Sequence, residues 1–283
     1  MMDRGRAAIL SVCVDGVALW APRLPGWEAA RRILRGETAA PREPAPRPAA
    51  ALLAANERRR APDSVAVALH VAQCACAAAN CEPASVRSVF ASTYGDFAVS
   101  DAVCSQLAKA PLDTSPTQFH HSVHNAAAGY WAIATGCLEP YTALTAQAHT
   151  FGEGLLAAVT QAVADDCRVL YVAYDIEAIG PLAPLARSRG MLGAALVLSA
   201  RVSEPSTARL SLRLAETALA PTAARPASAA LVADNAMASC LALFEALADG
   251  GSRFVRLSLG RHLSAEVTVE SGVEIRAAGT AGR

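Results

Sequence analysis

Two apolar runs limit what this chain can become. Residues 169–174 and 191–200 are apolar almost throughout, as strands covered on both faces are. Such strands need helices above and below them, which points to a layered α/β sheet. The flanking sequence agrees, because helical and apolar strand-like segments alternate over residues 50–200.

Residues 119–173 show that alternation most fully. They read as helix, turn, short strand (141–147), sharp turn at Gln147-Ala148-His149, long helix (149–163) and buried strand. Phe151, Leu155, Ala158 and Ala162 share one face of the long helix. In a strand–turn–helix unit, the turn over the helix N-terminus is where a nucleophile often sits. This turn has neither Cys nor Ser. His149 is a candidate general base, but a base needs a nucleophile to activate. Thr145 and Thr150 are the nearby hydroxyls, and Cys137 is the nearest thiol in sequence.

The remaining segments read more simply. Residues 7–14 and 17–21 flank Asp15-Gly16, a hairpin-turn signal. A short helix over 27–35 stops at Gly36, and Pro41, Pro44, Pro46 and Pro48 make 38–49 a loop. Arg58, Arg59 and Arg60 form either a solvated charged face or a docking patch for an acidic partner. Asp63-Ser64 is a capping pair for a helix over 65–79. A buried strand follows at 86–93, then a helix over 101–110 capped by Ser100, then a loop over 113–118 holding Pro116. A strand at 208–214 leads into an Ala- and Pro-rich linker, a helix over 233–248, and a hairpin of 254–259 with 264–269.

Composition removes several function classes. The formal net charge is +0, so nothing general favours nucleic acid or an anionic membrane. No apolar run reaches membrane-spanning length free of charge, and Asp15-Gly16 breaks the early apolar stretch before it makes a signal peptide. A soluble, cytoplasmic protein is expected. Among the basic residues only Lys109 is not arginine, and alanine abounds; both suit a GC-rich coding sequence. The eight cysteines (Cys13, Cys74, Cys76, Cys81, Cys104, Cys137, Cys167 and Cys240) are irregularly spaced, so free thiols are expected. Cys74, Cys76 and Cys81 lack zinc-site spacing. His120 and His124 stand at metal-binding helical spacing, but Asn125 and Tyr130 are poor further ligands. No metal and no cofactor is expected. No phosphate-binding glycine loop, Gly-x-Ser-x-Gly elbow or His-Glu-x-x-His is present.

Several segments together resemble one family. Ser122-Val123-His124-Asn125-Ala126-Ala127-Ala128-Gly129-Tyr130 is similar to the asparagine-bearing NxxAGH helix start of the thiolase-fold β-ketoacyl synthases. The strand, elbow, helix and strand that follow resemble theirs, as does GMLGAALVLS at 190–199. LAANERRR at 53–60, VFASTYGD at 89–96, Ser115-Pro116 and residues 142–156 narrow the likeness. They look like the short ketosynthase-like subunits similar to chain-length factors of aryl-polyene and xanthomonadin-type pigment clusters.

The resemblance implies a thiolase-like layered α/β fold with an essentially complete N-terminal half and a strongly reduced C-terminal half. It divides the chain into a ketosynthase-like domain (1–215), a linker (216–230), a reduced helix and hairpin (231–275) and a tail (276–283). Laid without gaps over residues 125–169, the family's nucleophilic cysteine falls on Ala148, between Gln147 and His149. Matching Thr142-Ala143-Leu144 to the family's Thr-Ala-Cys puts it on Leu144 instead. Either way the nucleophile is missing, and the family's two catalytic histidines have no counterpart.

A non-catalytic partner of an active β-ketoacyl synthase is therefore the leading expectation. By the same resemblance, Asn125, Tyr141, Thr142, Ala143, Leu144 and Thr145 would face that partner, and Gln118 and Phe119 would line or gate its acyl tunnel. Arg58, Arg59 and Arg60 would dock an acyl carrier protein. Two alternatives stand beside this: an acyl hydrolase or acyltransferase using His149 or Cys137, and a plain carrier-protein-binding module.

Overall fold

The computed structural model describes residues 9–272 except 114, 182, 217, 218 and 233. The expected tail at 276–283 lies outside the described residues, as does the first residue of the helix expected over 233–248. The elements run β1 (Ile9–Ala21), β2 (Leu24–Pro25), α1 (Trp27–Leu34), α2 (Ala55–Arg60), α3 (Asp63–Ala78), β3 (Arg87–Ala91) and α4 (Phe97–Lys109). Then come α5 (Pro116–Ser122), α6 (Ala126–Thr135), β4 (Tyr141–Leu144), α7 (Thr150–Ala164), β5 (Arg168–Asp175), β6 (Leu192–Ser199) and β7 (Ala208–Ala215). Last are α8 (Pro226–Ala229), α9 (Leu241–Asp249), β8 (Ser252–Ser258) and β9 (Ser264–Ser271).

One mixed sheet carries the fold, in the order β4-β3-β5-β6-β1-β7-β9-β8, with β2 on β1. The β4, β3 and β5 strands are parallel, as βα units require, and the rest pair antiparallel. Helices cover both faces. Ala30 and Leu34 of α1, the apolar side of α7 and nearly all of α9 pack on one face. The α3 helix and Ala126, Ala127, Ala128 and Trp131 of α6 pack on the other. Phe151, Leu155, Ala158 and Ala162 are all buried, as their spacing predicts. The helix α9 and the β8–β9 hairpin join this same sheet and core, since β9 pairs with β7 along its whole length.

Cysteines at three helix ends have a shared use. Asn80 (φ 47°), Gly136 (φ 67°) and Asp166 (φ 48°) turn the chain left-handed after α3, α6 and α7. The next residue, Cys81, Cys137 or Cys167, donates its N–H five residues back at 3.0–3.2 Å. This closes the helix end, and the small apolar thiol side chain suits the position that packs back onto the last turn.

Four local expectations are corrected. Asp15-Gly16 is no hairpin turn: β1 runs straight through it, with a bulge between Val14 and Gly16. The Asp15 carboxylate is buried and accepts bonds from Arg168 and Ser206, while Gly16 lies against the end of α3, where a Cβ would sit 2.2 Å from the Ala75 carbonyl. Asp63-Ser64 does not cap α3; Asp63 is already its first residue, and Ser64 Oγ bonds Asp96. Asp96, not Ser100, caps α4, because its carboxylate reaches the Val99 N–H at 3.1 Å. The loop expected at 113–118 becomes the start of α5, with Ser115 as cap and Pro116 in the first turn.

Candidate functional site

The stretch 119–173 supplies the edge strand β4, the helix α7 on one face and most of β5, third in the sheet order. The β4 strand pairs with β3 alone and is the outermost strand. It is four residues long, ending at Leu144 and not at Gln147 as expected. Exposed apolar side chains occur on this strand and on the segments before it: Tyr141 in β4 is 41% exposed, Leu138 just ahead of it 97%, Ile133 in α6 68% and Phe119 in α5 61%. An open strand edge flanked by exposed apolar residues is a template for another chain.

Beyond β4 the chain turns sharply into α7. Gln147 sits at the apex with φ 52°, a backbone conformation that costs an L-residue on the order of 1 kcal/mol. The 3-10 turn Gln147–His149 then leads into the helix. Thr150 holds the apex: its hydroxyl donates to the Gln147 carbonyl at 2.7 Å and accepts from the Ala146 N–H at 3.0 Å. In a nucleophile elbow the strained turn residue carries the attacking atom. Here that apex is Gln147, one residue before Ala148 and three after Leu144. Gln147 and Ala148 are exposed, and none of the three side chains is a nucleophile.

The expected edge residues lie together. The Asn125 amide donates to the Tyr141 hydroxyl at 3.2 Å. Thr142 Oγ1 accepts from Gln161 at 3.3 Å, and the Thr145 hydroxyl donates to the Thr93 carbonyl at 3.0 Å. Ala143 and Leu144 are half-buried, with Leu144 packed against the α7 side of the core. His124 Nε2 donates to the Leu144 carbonyl at 3.0 Å, which ties the start of α6 to the end of β4. His120 lies in α5, which ends before His124, so the two histidines do not share a helix. His121, buried in α5, hydrogen-bonds the Tyr130 hydroxyl at 2.7 Å.

Sequence reasoning missed one partner. Ser258, at the end of β8, places its Oγ 2.8 Å from His149 Nδ1. The two residues are 109 positions apart, so no local signal pairs them. Glu153, one turn further along α7, has its carboxyl pushed up by burial and partly drawn back by the His149 charge. Ala148 and Ser258 line a cavity of about 260 Å³ with Phe151, Gly152 and Leu257.

Gln118 lies elsewhere, on the wall of a cavity of about 890 Å³ shared with Val99, Ile176 and Met191. That volume suits a small-molecule ligand. The three arginines of α2 divide. Arg58 bonds the carbonyls of Leu53 and Ala51, and Arg59 bonds Asn56. The Arg60 side chain forms no hydrogen bond or ion pair with a described residue, and it borders both the large cavity and a neighbouring one of about 400 Å³. Among the described residues no group of three metal-binding side chains converges, and no helix is long and apolar enough to cross a membrane.

Known proteins share this architecture. A chain of the ketosynthase ApeO in complex with its chain length factor ApeC, from Xenorhabdus doucetiae, superposes with a TM-score of 0.68 at 19% identity, covering 92% of this chain and 99% of the matched one. A chain of the AntDE:AntF complex, a type II polyketide synthase acyl-carrier protein with its ketosynthase, gives 0.70 at 9% identity, covering 93% and 100%. The ishigamide ketosynthase/chain length factor gives 0.65 at 16% identity, covering 93% and 99%. At such identities the likeness is one of fold, and it is the ketosynthase-like fold that the sequence motifs imply. Among curated proteins no sequence match is found. The β-ketoacyl synthase N-terminal domain model matches residues 27–262, most of the chain. With that match and the strand, elbow and helix all in place, the chain belongs to the β-ketoacyl synthase N-terminal domain family.

Proposed function

We propose that this chain is a chain-length-factor-like subunit that performs no condensation itself and pairs with an active β-ketoacyl synthase. One observation carries the reading: the elbow keeps its strained backbone at Gln147, yet no residue from 141 to 153 is a Cys or Ser. Acyl condensation of the ketosynthase type begins with a thiolate attacking a thioester, and an amide or methyl side chain cannot do that. The retained scaffold then works as a surface. The β4 edge pairs across a pseudo-two-fold axis with its counterpart, covering Ile133, Leu138 and Tyr141. In this reading Asn125, Thr142, Ala143, Leu144 and Thr145 belong to that contact, and Gln118 and Phe119 help to shape the pocket for the growing chain. The reduced C-terminal part proposed over 231–275 contributes β8 and β9, which extend the sheet beyond β7.

The wider setting is part of the proposal. Neighbours of the same fold occur with a chain length factor or an acyl-carrier protein, which supports a ketosynthase partner and an acyl carrier protein that visits the pair. The motifs that resemble aryl-polyene subunits support that biosynthetic context. Co-expression with an active β-ketoacyl synthase from the same genome tests the pairing. The expected result is a co-eluting heteromer that Tyr141→Arg or Ile133→Glu disrupts. A stable monomer that never binds a ketosynthase would contradict it.

A further inference from the structure

The geometry points to Ser258 and His149 as a nucleophile–base pair that hydrolyses short acyl thioesters or esters. This goes beyond the proposed function, which uses neither residue, and stands independently of it.

The pair has the parts that such chemistry needs. The Ser258 Oγ lies 2.8 Å from His149 Nδ1, hydrogen-bonding distance for direct proton transfer. Glu153 faces His149 from the next turn of α7 and is partly desolvated, so it favours the imidazolium that forms when the base takes a proton. Phe151 and Gly152 bring the first turn of the 15-residue helix α7 to the same cavity, where its N-terminal dipole favours a developing oxyanion. The cavity is about 260 Å³ and its walls are mostly apolar, from Phe151, Ala223, Ala224 and Leu257. That suits an acyl group of a few carbons and leaves no room for a long chain.

The hairpin is held firmly where it must be. A Cβ on Gly152 would sit 2.5 Å from the Ser258 carbonyl, so α7 and β8 touch backbone to backbone and fix the serine against the histidine. Both side chains remain half-exposed, so substrate can reach them.

The chemical step balances without any further reactant but water. His149 Nδ1 takes the proton of Ser258 Oγ as Oγ bonds the acyl carbon and the carbon–sulfur bond breaks. The leaving thiolate takes the proton from His149. Water then attacks the acyl-serine, giving its proton to His149; the carbon–Oγ bond breaks, the acid departs and Ser258 is reprotonated. For an ester, the alkoxide leaves in place of the thiolate.

The experiment uses the purified chain with acetyl- and butyryl-N-acetylcysteamine, p-nitrophenyl acetate, and a fluorophosphonate label located by peptide mass spectrometry. Expected are hydrolysis above the buffer rate, label on the peptide containing Ser258, and a loss of at least about 100-fold in Ser258→Ala and His149→Asn. The labelled peptide identifies the nucleophile in the native protein, so the result does not depend on a variant that might misfold. No hydrolysis above buffer, label on another residue, or full activity in Ser258→Ala would each overturn the inference.

Discussion

The Thr150 hydroxyl donates a 2.7 Å hydrogen bond to the Gln147 carbonyl and thereby holds the strained apex of the elbow. Thr150 is buried, and its oxygen also satisfies the Ala146 N–H. Thr150→Val keeps the shape and removes both bonds, leaving a donor without its acceptor. A loss of about 1–3 kcal/mol is expected in denaturant unfolding. An unchanged midpoint would show that the elbow does not depend on this clasp.

The bulge in β1 gives a steric test. Gly16→Ala places a Cβ 2.2 Å from the Ala75 carbonyl and 2.9 Å from Ala79, all on a packed helix end. Destabilisation of about 1–3 kcal/mol follows from such overpacking. Gly260→Ala meets nothing within 4 Å and serves as the neutral control. Equal melting temperatures for the two variants would contradict the close approach.

Buried Asp175 gives a pH test. Its carboxylate accepts bonds from the Ser92 hydroxyl and the Thr93 and Tyr94 N–H groups at 2.9–3.1 Å, yet burial dominates and raises its pKa. A folded pKa above the unfolded one means that the stability contribution is full below the unfolded value of about 4 and is lost as pH rises through the folded value. Asp175→Asn does not titrate. The stability of the wild type relative to this variant should therefore be greatest near pH 3.5 and shrink towards pH 7. A difference that grows with pH would reverse the assignment.

The arginines of α2 separate structure from docking. Arg58 serves carbonyls at 2.9–3.3 Å, so Arg58→Ala should cost stability by about 1 kcal/mol or more. Arg60 has no such partner among the described residues, so Arg60→Glu should leave the melting temperature within a degree or two. It should instead weaken acyl carrier protein binding, measured by titration at low salt. Carrier binding unaffected by Arg60→Glu would remove α2 from the docking surface.

Much of the sheet was legible because its signals are local. The apolar runs that became β5 and β6, and the spacing of Phe151, Leu155, Ala158 and Ala162 on α7, each report burial by periodicity alone. What misled was local chemistry with distant causes. Asp15-Gly16 has hairpin character, but the residues that bury Asp15, Arg168 and Ser206, lie 153 and 191 positions away. Spacing along a resemblance points to Ala148 or Leu144, and the backbone adds what no residue count reveals, that the strained residue of the turn is Gln147. Ser258 carried no signal because only the β8–β9 hairpin, folded back onto α7, brings it to His149.

The central claim is that this chain supplies surface and its partner supplies the thiol. The most direct measurement is to purify it with an active β-ketoacyl synthase from the same genome, load the complex with an isotope-labelled acyl group, and find which chain holds the acyl thioester. The account predicts a complex whose thioester sits on the partner's cysteine alone. A thioester on any of this chain's own eight cysteines, or condensation by this chain without a partner, would contradict it.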